Sequence, residues 1–413
     1  MTPAVTPAGT TWAGSHAFAA RGLVRPASVA EVQELVVREP RLRALGSRHS
    51  FTDLADTDGL LVSTEALAGP ELDGSVVRLP AGMRYGDLAV WLHARGRALP
   101  NLASLPHISV AGAVATGTHG AGLRNGSLAT SVTALELVDG RGELVRLDAS
   151  SPDFAGAVVG LGALGIVTHV ELETVPAYDV VQVVHEGLTW PVLLERVEEV
   201  LGLAYSVSVF TRWTEDTVSV WTKALASEGT PELSGARPAT AQRHMIDGLD
   251  PTLTTPQLGV PGPWHERIPH FRLGFQPSAG DELQSEYLVP LVHAREALEA
   301  VRGLGPALAP VLLVAEVRGI AGDGLWVSGA YGTDTVGLHF TWRRDHAGVL
   351  PLLPLLEERL LPLGARPHWG KVFAAGPADL APLYPRWDDF RSLVGRYDPA
   401  GRFRNAWLDR TLG

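Results

Sequence analysis

Residues 101–122 read NLASLPHISVAGAVATGTHGAG. The stretch holds no Lys, Arg, Asp or Glu, yet carries Gly112, Gly117, Gly120, Gly122, Ser104, Ser109, Thr116, Thr118, His107 and His119. That glycine density argues against a helix core and gives a strand little to pack. Glycine lets a backbone turn sharply and come close to a ligand with bare N–H donors, and small hydroxyls add donors without bulk. Two readings follow: a buried Gly/Ala turn packed between elements, or the wall of a site for a large phosphate-bearing ligand.

Upstream, the strand-like run RLRAL leads into Ala44-Leu45-Gly46-Ser47-Arg48-His49-Ser50. This turn could cradle a pyrophosphate with its N–H groups and serines. His49 is then either a plain surface histidine or a nucleophile toward a bound cofactor. Around these segments, helix and strand signals alternate through the first 175 residues. Ser28 caps SVAEVQELVV, YGDLAVWLHARG is a helix ended by Gly96, and SVTALELV with GELVRLDA forms a hairpin about Asp139-Gly140. DFAGAVVGLGALG leads into the strand IVTHVELETV, which stops at Pro176.

Beyond that point the pattern changes. YSVSVFTRW, TVSVWTKA, VLLVAEVRGI and VGLHFTW read as strands, beside helices VLLERVEEVLGLA and LLPLLEERLLPL. These predict a large antiparallel sheet with helices on one face. Residues 227–263, rich in Gly and Pro, read as an irregular excursion, and the last fifty residues as a compact tail. In the strand at 311–320, Glu316 and Arg318 lie two apart and share a face, as do His339 and Thr341 at 336–342. The two pairs mark either a solvated face with an ordinary ion pair or a polar floor beneath a hydroxyl-rich ligand.

Composition narrows the class. At 413 residues, 46% hydrophobic and 19% charged, the chain suggests an ordinary globular protein of two domains. A net charge of −11 with scattered basic residues argues against a nucleic-acid surface. No apolar run is long enough to span a membrane, and the start MTPAVTPAGTTWAG lacks the features of a secretory leader, so a cytoplasmic, bacterial enzyme is expected. Without cysteine there is no disulfide, thiolate nucleophile or cysteinyl cofactor bond. Among 34 basic residues only Lys223 and Lys371 are lysines, a bias that GC-rich coding alone produces. A lysine that persists against it can mark a place where a compact ammonium is needed, which singles out Lys371.

Two motifs mislead. Gly160-Leu161-Gly162-Ala163-Leu164-Gly165 fits G-x-G-x-x-G, but a helical run precedes it and a strand follows, the reverse of a dinucleotide turn. His265-Glu266-Arg267-Ile268-Pro269-His270 spaces its histidines one residue too far apart for H-E-x-x-H and carries Pro269 inside the would-be helix, so no metal site is expected.

Taken together, the G-S-x-H-S turn, ASLPHISVAGAVATGTHG, GALGIVT, E-V-R, H-F-T, H-W-G-K and PGPWHERIPHF resemble the bacterial alditol oxidases, in order and over nearly the whole chain. These are FAD enzymes of the vanillyl-alcohol-oxidase group. The resemblance implies an α+β, two-domain PCMH-type FAD-binding fold whose substrate domain is a large antiparallel sheet flanked by helices. Its expected divisions are an FAD domain at 1–176, a substrate domain at 177–365 and a returning tail at 366–413. It places Ala44, Leu45, Gly46, Ser47, Arg48, His49, Ser50, Ser104, Ser109, Gly112, Thr116, Gly117, Thr118, His119, Val167 and His368 around FAD, with His49 bonded to the flavin 8α-methyl. Ser104, Glu316, Arg318, His339, Thr341 and Lys371 match positions around a bound polyol, with Lys371, Arg318 and Ser104 in catalytic roles and Leu123 near the pocket mouth. Arg48 departs from the family pattern, which has glycine there. The implied partners are a polyol and O₂, on a chain expected as a monomer. An aldonolactone oxidase or dehydrogenase on the same scaffold is the alternative. A non-catalytic flavin-binding protein and an NAD-dependent enzyme are more remote ones.

Overall fold

The computed structural model describes residues 4–274 and 281–413. The first half holds two sheets. Three short parallel strands, β1 (Gly22–Val24), β2 (Leu42–Ala44) and β3 (Leu60–Val62), lie in the order β1-β3-β2. Helix α1 (Val29–Arg38) covers them with Val32, Leu35 and Val36, one stripe at helical spacing. Ser28 caps it as expected, its hydroxyl accepting from Glu31 N–H at 3.2 Å.

The second sheet is antiparallel. Its strands β4 (Glu71–Asp73), β5 (Val76–Pro80), β6 (Val132–Val138), β7 (Leu144–Asp148) and β8 (Ile166–Glu173) run in the order β4-β5-β8-β6-β7. The β6–β7 hairpin turns at Asp139, whose carboxylate accepts from the N–H groups of Arg141 and Glu143. Helices α2 (Tyr85–His93) and α3 (Val110–Ala115) pack here. α3 lies inside the glycine-rich wall, where no helix was expected.

The turn 160–165 works as a receiver of charge. Gly162 adopts φ +66, and the carbonyls of Leu161 and Gly162 accept from the buried Arg43 guanidinium. Arg43 also donates to Leu54 and Phe403, the latter in the C-terminal tail. Burial lowers its pKa to about 10. The glycines thus present oxygens to a cation, the opposite polarity to a dinucleotide turn.

From residue 179 the chain builds a nine-stranded sheet. Its long strands are β9 (Asp179–Thr189), β10 (Ser206–Thr211), β11 (Thr217–Leu225), β12 (Glu282–Pro290), β13 (Leu312–Ile320) and β14 (Thr335–Arg343), in the order β9-β11-β10-β13-β14-β12. β9 and β12 were not anticipated. One face carries Leu338, Phe340 and Trp342 against helices α6 (Ala294–Leu308) and α7 (Leu352–Leu360). The helix expected over VLLERVEEVLGLA is two pieces, α4 (Trp190–Glu195) and α5 (Val197–Leu201), because Arg196 between them leaves helical geometry at φ −127 and ψ 32. The tail then returns to the first half. Trp369, α8 (Trp387–Tyr397) and α9 (Ala406–Leu412) share a core with Val77, Leu135 and Val170. No helix among the described residues is long and apolar enough to cross a membrane.

Arg43→Met would leave the carbonyls of Leu161, Gly162 and Phe403 unpaired in the interior, while Leu54 keeps its bond from Asn405. The expected loss in denaturant unfolding is about 3 kcal/mol. A change below about 1 kcal/mol would show that water replaces the guanidinium at no cost.

Candidate active site

The uncovered face of the large sheet looks across a cavity of about 420 Å³ toward the glycine-rich wall and the 44–50 turn, a size suited to a cofactor or substrate. Ala44 to Ser50, Ser104, Ser109, Gly112, Thr116, Thr118, His119, Val167 and His368 all border it, with Glu316, Arg318, His339, Thr341 and Lys371 on the far side. Two expected residues do not. Gly117 turns the chain at φ +63 behind the wall, and Leu123 packs its side chain against Gly319 and Gly202 instead of standing at the mouth.

The turn and the wall are clasped. Ser47 N–H donates to Ser109 Oγ at 3.1 Å, and Ser109 N–H donates to Ser47 Oγ at 2.8 Å. A Cβ on Gly46 would sit 2.2 Å from Ser109 Oγ, and one on Gly112 2.7 Å, so both positions need glycine for close approach. Arg48 resolves its own departure from the pattern. Its backbone takes φ +67, a conformation glycine adopts freely, and its guanidinium donates to the carbonyls of Ala8 and Thr10. The cation therefore anchors the N-terminal segment. Next to it, His49 stacks on Trp12 at 5.1 Å, and neither ring nitrogen finds a partner although both are buried. Burial lowers its pKa to about 4.

Across the cavity, strand register builds the floor. Glu286 on β12 pairs with His339 on β14, which pairs with Glu316 on β13; Arg318 faces Gly337 one row on. Gly337 leaves a gap through which Arg318 reaches Glu286 Oε1 at 2.9 Å, and a Cβ there would lie 3.2 Å from that oxygen. Lys371 Nζ, from the tail, donates to Glu286 Oε2 at 2.6 Å and to His339 Nδ1 at 2.5 Å. Because the ammonium has no lone pair, His339 carries its proton on Nε2 and donates to Thr341 Oγ1 at 3.1 Å. Arg318 also donates to Ser104 Oγ at 3.1 Å, which joins sheet and wall.

Charge inside this site is balanced in place. Burial alone would raise Glu286 and Glu316, but Lys371 and Arg318 hold Glu286, and Arg318 and His270 hold Glu316, well below the usual carboxylate range. Burial lowers Lys371, with Glu286 opposing it. Three floor residues escaped the sequence reading. Glu286 lies in ELQSE, where Glu282, Gln284 and Glu286 alternate on one face, the same signal that marked Glu316 and His339. His270, set aside with the false zinc motif, donates from Nε2 to Glu316 Oε1 at 3.0 Å. Lys223 lies behind it, 3.0 Å from His270 Nδ1. No group of three or more metal-ligating side chains occurs among the described residues.

Burial lowers His119, His270 and His339 to about 4 and holds His368 well below its ordinary value. The unfolded chain takes up these protons below about 6.5, the folded protein only near 4, so stability falls as pH drops through that window. From pH 6 to 4.5 we expect the unfolding free energy to fall with a slope of about three protons, roughly 4 kcal/mol per pH unit. A flat profile there would mean that these rings are charged in the fold.

The comparisons agree with this geometry. Residues 20–148 match the FAD binding domain family model, and residues 281–411 match D-arabinono-1,4-lactone oxidase. An alditol oxidase of Streptomyces sp. is 47% identical over 97% of each chain. An L-gulono-1,4-lactone dehydrogenase of Mycobacterium tuberculosis is 28% identical over 99% of this chain and 100% of its own. A crystal structure of cholesterol oxidase from B. sterolicum superposes with a TM-score of 0.80 at 16% identity, covering 100% of this chain and 98% of that one, a likeness of fold alone. The wall between turn and floor, and the sheet facing it, are those of a two-domain PCMH-type flavoprotein: the chain belongs to the alditol oxidase family of FAD-dependent oxidoreductases.

Proposed function

We propose that this protein oxidises the terminal C1 hydroxyl of acyclic polyols such as xylitol and sorbitol to the aldose, with O₂ reduced to hydrogen peroxide. The observation that carries this reading is the buried floor, where Glu316, Arg318, His339, Thr341 and Lys371 meet Ser104 with donors and acceptors closely interleaved. A ligand with a hydroxyl on each carbon matches such a surface. An alkanol would leave buried polar groups unpaired, at about 1–3 kcal/mol for each.

The residues across the cavity fit FAD. The 44–50 turn would hold its pyrophosphate, and Ser104, Ser109, Gly112, Thr116, Thr118, His119, Val167 and His368 would line its berth. The unpartnered nitrogens of His49 support an 8α-histidyl bond, which would give one of them a covalent role. FAD bound there would supply the two-electron acceptor for the carbinol hydrogen and pass the electrons to O₂.

The chain's own groups do the rest. Lys371 spends two of its three N–H donors on Glu286 and His339, which leaves one for the reacting oxygen. Arg318, fixed by Glu286 and Ser104, adds a second positive charge. Together they would stabilise alkoxide character on that oxygen. Glu316 and Thr341 orient the neighbouring hydroxyls and so select the carbon.

A lactone substrate is favoured by one observation, the match of residues 281–411 to a lactone oxidase model. Peroxide release separates the two readings. We expect it with xylitol or sorbitol and little with galactono- or gulonolactone; the opposite ranking would overturn the polyol assignment. Acid precipitation tests the bond to His49. The yellow colour should stay with the pellet in the wild type and move to the supernatant in His49→Ala. Colour in the wild-type supernatant would exclude the bond.

A further inference from the structure

Lys223 is unused by the mechanism above, yet it is only 1% exposed and lies beneath the same floor as Lys371. It projects from β11 into a pocket formed by the 261–271 segment and the neighbouring strands. Its Nζ donates to the Ile268 carbonyl and stands 3.0 Å from His270 Nδ1. The other nitrogen of that ring, Nε2, lies 3.0 Å from Glu316 Oε1 and 3.4 Å from Ser208 Oγ. Phe210 and Trp221 pack edge-on against the ring and fix its plane.

We propose that Lys223 is a positioning residue for polyol binding: it fixes the tautomer of His270, and His270 in turn fixes the Glu316 carboxylate at the cavity wall. The inference rests on the polyol reading for its consequence, though not for its geometry.

The argument is one of donors and acceptors. A lysine amine donates, so His270 Nδ1 must accept, and the ring proton must then sit on Nε2. From Nε2 it points at Glu316 Oε1. That oxygen is thereby occupied, and Oε2, 3.6 Å from Arg318, remains for a substrate hydroxyl. As an ammonium it has no lone pair and can only donate, and the nearby Glu316 carboxylate favours that charged form against burial. Without Lys223 only Glu316 holds the proton on Nε2, and the Nδ1–H tautomer is no longer blocked from the other side. In that tautomer Nε2 would turn a lone pair toward a carboxylate, and Glu316 would lose its anchor. Lys371 treats His339 in the same way, with Thr341 as the group positioned. The chain's two lysines thus set two tautomers under one ligand.

The test uses flavin-loaded wild type, Lys223→Met, His270→Gln and the double variant. Glutamine at 270 retains an N–H donor for Glu316 with no tautomer to set. Lys223→Met is expected to raise KM for xylitol about tenfold while kcat stays within about threefold. In the His270→Gln background the same change should have no further effect on KM. Imidazole ¹⁵N spectra of histidine-labelled protein, assigned with His270→Gln, should show an Nε2–H tautomer at His270 in the wild type. An unchanged KM in Lys223→Met, additive effects in the double variant, or an Nδ1–H tautomer in the wild type would each overturn the proposal. If the wild type oxidises no polyol, the functional reading fails by itself, and the ¹⁵N spectra still decide whether Lys223 sets the ring, by whether the Nε2–H signal of the wild type is lost or mixed in Lys223→Met. If Lys223→Met does not fold, Lys223→Gln replaces it in both comparisons.

Discussion

The Glu286 carboxylate is the point on which the site depends. It is fully enclosed, receives Arg318 at 2.9 Å and Lys371 at 2.6 Å, and lies 3.4 Å from His119 Nε2. Those groups come from the central sheet, the C-terminal tail and the glycine-rich wall, so one anion ties three separate parts of the chain. Buried ion pairs give little net stability, but removing one partner strands a charge at a cost of about 3–5 kcal/mol. The value of this one is geometric. It fixes both cations where a reacting oxygen would lie.

Sheet register makes such a cluster possible. Neighbouring strands place Glu286, His339 and Glu316 side by side, at the spacing of directly opposed residues. The opposite face of the same strands is packed with Leu338, Phe340 and Trp342, Phe340 and Trp342 being stacked at 5.1 Å. An apolar face against helices keeps the register, and the register keeps the polar face. A slip by one residue would exchange the two.

Much of this was legible because period two is a local signal. Glu316 with Arg318, and His339 with Thr341, announced a shared polar face before any partner was known. Glu286 carried the same alternation but followed the irregular stretch and was passed over. Lys223 and His270 were less accessible, since their meaning depends on which strands become neighbours. The glycine-rich segment borders the cavity, as one of its two readings has it, and it holds a helix that its glycine density argued against. Six residues suffice for α3, and Gly112 is there because Ser109 lies close to it. Leu123 shows the same limit. Nothing local reveals that Gly319 makes room for its side chain.

The rarity of lysine has a chemical consequence. Aldehydes and open-chain aldoses condense with neutral primary amines, and an enzyme that releases such carbonyls would expose its own surface to them. Here Lys223 is 1% and Lys371 9% exposed, so no lysine amine is freely presented to solvent. Lys371, beside the carbon where a carbonyl would form, has Glu286 to hold its proton, and an ammonium has no lone pair for imine formation. On the proposed chemistry, the same carboxylate that arranges the floor would also guard its amine against glycation.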